Sequence, residues 1–559
     1  MVLLQEMKKF ILCILIALMP FPLFGCGHSS SVYYFLKGYR SEVQGQYEDA
    51  IKHYTSALKL DSKSSGIRSE LALLYIKKGE LGKAEGLLKE AINIDQNNRQ
   101  ALILLGSVYS AKGELSQAKA MYEKCIEMNN EDTEAYLYLG AIYIAEKKHI
   151  EAINVYEKIL AYDDDNIITL YYIGRLSAEL KNYNKAKQYY SKAIELKPNF
   201  EPALLDLGTI YELEGDSDKA VGYYQQIIMV DPMNKKVMSR IANIFVKKKE
   251  YDRAIYEFEK LSDLDRSDLS VRIKIGLLHL EKGRNEEAIR EFTLVLASAP
   301  KNNTVRLYLA MAWQEKGDLR KAIDELLKVD PKTDEFQNAL KNLTLLYMKA
   351  GLIDEGIDTI KGYLTERKND MDIYMLLSML YEEKMDYLKG IETLEAARNI
   401  DPKNLDVLYQ IGVLYEKHND TDKALHYMEE VLKIDPEHAN ALNFIGYSWT
   451  EKGVSLDKAE EMIKKALTKR PDDGYIIDSI GWVYYKKGDY KKALTELLKA
   501  HQILPDDPVI AEHLGDVYVS LNEYDKAIDS FEKSMKLEKK EDRKKLLEKK
   551  IKSLEEKKK

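Results

Sequence analysis

The sequence predicts an all-α solenoid of about fifteen helix–turn–helix repeats, on three observations. A small residue returns every 34 positions, from Gly38 through Gly106, Gly140, Gly174 and Gly208 to Gly446, and then at Gly481 and Gly515 after steps of 35 and 34. A second small residue follows most of these at twelve positions, as at Ala50, Ala118, Ala152, Ala186 and Ala220. Seven positions after the first, a glycine or asparagine recurs, as at Gly45, Gly113, Gly215, Gly453 and Asn419. A length of 559 residues could fill several globular domains. The regular period argues instead for one unit copied along the chain. Apolar residues make up 45% of it, enough for a continuous core.

In chain order, Lys8 and Lys9 precede an apolar stretch over residues 10–24, broken by Pro20 and Pro22. That is shorter than the roughly 20 residues needed to cross a bilayer. A basic opening, an apolar centre and small residues at the end describe a secretory signal peptide over residues 1–25. Met7 offers an alternative start. The ending Leu23-Phe24-Gly25-Cys26 resembles the bacterial lipobox. The resemblance implies that Cys26 is lipidated, tethers the chain to a membrane and opens a short linker over residues 26–31. Gly27 follows where an inner-membrane retention signal usually carries Asp, so the expected location is the outer membrane, facing the periplasm. An ordinary signal peptide with a chance cysteine is the alternative. After processing, Cys26 and Cys125 are the cysteines left, too few for a disulfide framework.

Within each period the landmarks have physical roles. A small residue in each helix lets two backbones approach closely. The glycine or asparagine tolerates the left-handed conformation that ends the first helix. Pro198, Pro232, Pro300, Pro402, Pro436, Pro471 and Pro505 close second helices. An aromatic residue three positions after the small one, such as Tyr75, Tyr109, Tyr143, Phe245 or Trp313, is expected to pack between helices. Period and landmarks together resemble the tetratricopeptide repeat over about residues 31–540. The resemblance implies a right-handed superhelix in which each helix pair packs only on its neighbours. The solenoid is placed at residues 32–540. The landmarks are poorest around Thr344 and Gly356, where a bend or a looser segment is expected. Residues 541–559 form a charged C-terminal capping helix or tail, with 12 basic and 6 acidic residues from 536 onward, read as solvating and frayed.

The chemistry-bearing motifs of enzymes are missing. No His pair has metal-ligand spacing with a carboxylate, and neither a phosphate-binding glycine loop nor a Gly-x-Ser-x-Gly elbow occurs. Cys125 falls at a core position. The sequence therefore predicts no enzyme, no cofactor and no small-molecule substrate. A formal net charge of −8 argues against a general nucleic-acid binder. Binding of protein or peptide partners is what remains.

In the tetratricopeptide family the first helix of each pair lines the concave groove, at positions just before and after the small landmark. Those positions carry Asn440, Asn443 and Tyr447 in one repeat and Tyr475, Asp478, Trp482 and Tyr485 in the next. Aromatic surface beside amide and carboxylate groups suits an extended peptide. Inter-repeat packing is the competing reading. A basic window at Lys236, Arg240 and Asn243 resembles part of a carboxylate clamp, with incomplete spacing. The stretches Leu442-Asn443-Phe444-Ile445-Gly446-Tyr447 and Asp478-Ser479-Ile480-Gly481-Trp482 resemble a block found in bacterial envelope tetratricopeptide proteins. Some of these are long outer-membrane lipoproteins that act as adaptors for periplasmic C-terminal processing proteases. Two roles stand open. One is an adaptor bringing such a protease to cell-wall hydrolase substrates. The other is an assembly scaffold for exopolysaccharide secretion or pilus and secretin biogenesis.

Overall fold

The computed structural model describes residues 30–558. The expected signal peptide and Cys26 lie outside them. Among the described residues there are thirty-one helices and no strand. The chain divides into two units. Residues 30–267 hold seven helix pairs, from Ser31–Val43 to Tyr251–Leu264. Residues 268–558 hold eight more, from Leu269–Glu281 to Tyr524–Leu537, followed by the helix Glu541–Lys558. Within each unit, a helix packs on its partner and on the next pair, and some first helices also touch, as Ala439–Glu451 does Gly474–Lys486.

The repeat containing Gly106 illustrates the construction. Asn98 caps Arg99–Ala111 by accepting the Ala101 N–H at 3.0 Å. Such a cap satisfies one of the free N–H groups at a helix start. The chain then turns through Gly113, whose φ is +80°, and the Glu114 N–H closes the turn on the Tyr109 carbonyl at 2.9 Å. Leu115–Met128 runs back alongside. The first small residue has a specific partner sixteen positions on. A Cβ at Gly106 would fall 2.5 Å from the Tyr122 ring, and one at Gly140 2.1 Å from Tyr156. Tyr54, Tyr122, Tyr156, Tyr190, Tyr224 and Phe292 are all buried in this register, each facing a glycine. Where the first position carries Ala, Thr or Ser instead, the residue sixteen on is usually aliphatic: Ala72 with Leu88, Thr344 with Ile360, Ser378 with Leu394. Ala242 with Phe258 is an exception. Gly412 with Met428 and Gly481 with Leu497 pair glycine with an aliphatic chain, so the match of sizes is a tendency of the array, as close packing favours.

The aromatic three positions after the small residue packs between helices as expected: Tyr109, Phe245, Tyr347 and Tyr381 are buried, and Tyr75, Tyr143 and Trp313 lie half-buried against the core. Its face carries a lysine ammonium: Lys83 stands 5.2 Å from the Tyr75 centroid, Lys119 4.6 Å from Tyr143, Lys321 4.3 Å from Trp313. The ring thus serves twice, packed on the core and offering a face to a cation. The poor landmarks at Thr344 and Gly356 do not mark loose packing. Thr344 is fully buried with its hydroxyl donating to the Leu340 carbonyl at 2.9 Å, and Gly356 lies against Tyr347. The irregular place is earlier. Leu319–Leu326 has 8 residues where second helices elsewhere usually have 14, and turns fill the gap before Glu335–Lys349. Pro331 stands thirteen residues before its small landmark Thr344, against ten for Pro198, Pro232 or Pro300 and theirs. A proline cannot continue a helix and pushes its predecessor out of helical geometry, so this helix stops early.

The C-terminal helix is docked rather than frayed. Leu547, Ile551 and Leu554 are buried against the last pair. Lys550 Nζ reaches Asp516 at 2.8 Å and Glu512 at 3.0 Å, and Arg543 donates to Glu512. The interleaved charges that read as a solvated tail are in part spent on a specific contact. Cys125 is 1% exposed, and burial pushes its thiol up to about 11. A thiol held so far above neutral pH stays protonated and is a poor nucleophile.

Candidate partner-binding site

First helices of the C-terminal repeats carry polar and aromatic residues at spacings of three and four. That spacing puts Asn440, Asn443 and Tyr447 on one face of Ala439–Glu451. It likewise aligns Tyr475 and Asp478 on Gly474–Lys486. These five residues line a single cavity of about 580 Å³. Tyr409 from Leu405–Lys417, Arg470 and Asp473 from an inter-repeat turn, and Asp507 before Pro508–Ser520 complete its polar wall. Phe444, Ile476, Val509 and Ile510 supply apolar surface.

Most polar groups here have defined partners. Arg470 donates to Asn440 Oδ1 at 2.6 Å and pairs with Asp473 at 3.3 Å. Asp473 accepts the Tyr475 and Ile476 N–H groups at 3.0 and 3.3 Å, and Asp507 those of Val509 and Ile510 at 2.8 and 3.1 Å. Each aspartate therefore serves as a helix N-cap while presenting charge to the cavity. Asn443 is not among them. Its Oδ1 is buried without a hydrogen-bond partner in the chain, an arrangement that costs about 1–3 kcal/mol unless a ligand or water repays it. Burial, then the nearby carboxylates of Glu451 and Asp478, hold the Tyr447 phenol well above its ordinary range. It remains a neutral hydroxyl. Burial also raises Tyr409. Tyr475 is 59% exposed at the rim.

Trp482 and Tyr485 do not line this cavity, and the expectation that they are free groove anchors is corrected. Trp482 is 7% exposed. Its ring stacks on His513 at 3.9 Å and on Tyr485 at 4.5 Å, and its indole N–H donates to Glu451. His513 Nδ1 is in turn 2.9 Å from Asp478 Oδ1, both side chains buried. This stack lies behind the cavity wall and fixes Asp478. Inter-repeat packing accounts for Trp482, because one turn further along the helix the neighbouring repeat closes over it. Tyr409, Arg470, Asp473 and Asp507 were not foreseen. Tyr409 stands three before Gly412, the position that Asn443 and Asp478 hold in their repeats, so the same rule carried one repeat earlier finds it. Arg470 and the two aspartates sit in turns, where a capping role hides a second one. In the basic window, Arg240 donates to Thr209 at 2.8 Å and lies over Tyr224, so its charge is engaged within the chain. Among the described residues, no group of three or more His, Cys, Asp or Glu side chains is arranged to hold a metal.

Family models for the tetratricopeptide repeat match residues 44–108, 109–174, 167–200, 203–235, 273–334 and 405–438. A model for anaphase-promoting complex, cyclosome, subunit 3 matches residues 454–534. Among solved structures, MamA is 25% identical over 30% of this chain and 92% of its own, with a TM-score of 0.28. Yeast Tom70 is 16% identical over 94% and 96%, at 0.31. The hetero-tetramer Cut9–Hcn1 of the anaphase-promoting complex gives 15% over 86% and 95%, at 0.36. These likenesses concern the fold and say nothing about partners. No curated protein matches the chain.

Proposed function

We propose that this chain, a tetratricopeptide-repeat protein, is a non-catalytic scaffold that captures an extended segment of a partner protein in the cavity around Asn443. The observation that carries the reading is the cavity itself. It combines tyrosine and aliphatic walls with three carboxylates and an unpaired buried acceptor in one place. Anchors of this kind dominate binding energy at protein interfaces.

The proposal extends to place. With Cys26 lipidated, the chain would sit in the bacterial envelope as an outer-membrane lipoprotein facing the periplasm. The linker of residues 26–31 would hold the first repeat within about 20 Å of the lipid. A partner captured in the array would be confined near the membrane, which raises its effective concentration towards envelope substrates. The resemblance of residues 442–447 and 478–482 to an envelope block makes a periplasmic C-terminal processing protease, with cell-wall hydrolase substrates, the first partner to test. Pull-down from detergent-solubilised envelope with wild type, Tyr475→Ala and Asn443→Ala tests the capture reading. Partner recovery should fall several-fold in both variants while circular dichroism stays unchanged. Undiminished recovery in both would refute the cavity as the capture site.

A further inference from the structure

The charge and hydrogen-bond balance of the cavity specifies what it would accept. Arg470 is the one cation in its lining among the described residues, and its guanidinium is engaged by Asn440 and Asp473. Three carboxylates line the same space: Asp473, Asp478 and Asp507. Asp507 uses Oδ1 for its two backbone bonds, and Asp478 uses Oδ1 for His513. The second oxygen of each is left to accept. Asn443 Oδ1 adds a buried acceptor with no donor. Negative charge is thus in surplus: the tyrosine hydroxyls and asparagine amides bring neutral donors, and no free cation among the described residues of the lining balances the three carboxylates. Tyr409, Tyr447 and Tyr475 surround this surplus with aromatic rings, whose faces attract cations.

We propose that the cavity receives a basic side chain, arginine or lysine, from an extended peptide segment of the partner. The proposal rests on the capture reading above and narrows it. An ammonium or guanidinium brings donors and no acceptor, which is what Asn443 and the free carboxylate oxygens lack. Its stem would lie along Phe444 and the tyrosine rings, with the charged end towards the aspartates. An acidic segment would meet three carboxylates and a cation already engaged. A neutral one would leave the carboxylates without a countercharge.

A random decapeptide display library panned over the full chain tests this. The comparison is with the double variant Asp473→Asn/Asp507→Asn, since asparagine caps a helix as well as aspartate and the fold is kept. Tyr475→Ala is the second comparison. Wild type should enrich peptides with Arg or Lys at a fixed position, and their affinity should drop about tenfold or more on the double variant. Enrichment of acidic or neutral peptides overturns the proposal, as does basic enrichment that the double variant leaves intact. If acidic or neutral peptides are selected and lost on Tyr475→Ala, the capture site stands and its preference for basic side chains falls. If nothing is enriched, or no variant changes the enrichment, both fall.

Discussion

Tyr156 fits its repeat because position 140 has no side chain. A methyl group there would overlap the ring, with Cβ 2.1 Å from its edge, and the ring is too enclosed to move aside, at 2% exposure. Gly140→Ala should therefore destabilise the protein by about 1–3 kcal/mol, the usual range for overpacking. Tyr156→Leu in the same chain should recover part of that loss, since it recreates the pairing of Ala72 with Leu88. Urea unfolding of both single variants and the double variant measures the coupling. The opposite case is Trp482, whose ring is stacked and enclosed, against Trp313, which is half-buried beside a cavity and topped by Lys321. Trp482→Ala should cost about 3–5 kcal/mol and Trp313→Ala clearly less, as thermal melts of the two variants would report. The sequence hid this ranking. Trp313 stands at a family landmark and Trp482 beside one, but burial depends on what the next repeat places over each ring. Asn440, Asn443 and Tyr447 on one helix, and Tyr475 and Asp478 on the next first helix, were legible because helical spacing aligns each set and the repeat's groove positions point to both. The contributions of Arg470, Asp473 and Asp507 were not, because turn residues have no such periodicity.

At the scale of the helix, the fifteen inter-helix turns share one backbone solution. The residue seven positions after each first small landmark has positive φ, whether it is Gly45, Asn419, Lys181 or Met385. The fold thus imposes the conformation even where the sequence offers no residue suited to it, and those four repeats with Lys147, Lys181, Lys249 and Met385 carry the strain. Lys181 has φ +59°. Lys181→Gly should remove the clash of a side chain in left-handed geometry and stabilise the protein by about 0.5–1 kcal/mol, readable as a shift of the urea midpoint. Insertion of one residue between Gly453 and Ala459 is absorbed in the same turn, where Ser455 also takes positive φ. Helix ends at Asp-Pro were legible. The early stop of Leu319–Leu326 was not read, although Pro331 announces it. The C-terminal helix shows the limit of composition: its charge suggested solvation, while Leu547, Ile551 and Leu554 at spacings of four and three form an apolar stripe that docks.

Across the chain, the period settled the all-helical class and the number of repeats, because each repeat needs only its neighbours to bury its apolar face. Partner identity is another matter, since the residues that would choose a partner occur once while the scaffold occurs fifteen times. The central claim is that the face around Asn443 holds the partner. Site-specific photocross-linking in cells tests it most directly, with benzoylphenylalanine placed at Tyr475 on the cavity rim or at Tyr256, an exposed ring in the other unit, 58% accessible. The prediction is a discrete protein adduct from position 475 that disappears when Asn443→Ala is added, and no equivalent adduct from position 256. Equal adducts from both positions, or none from 475 while the partner still co-purifies, would contradict it.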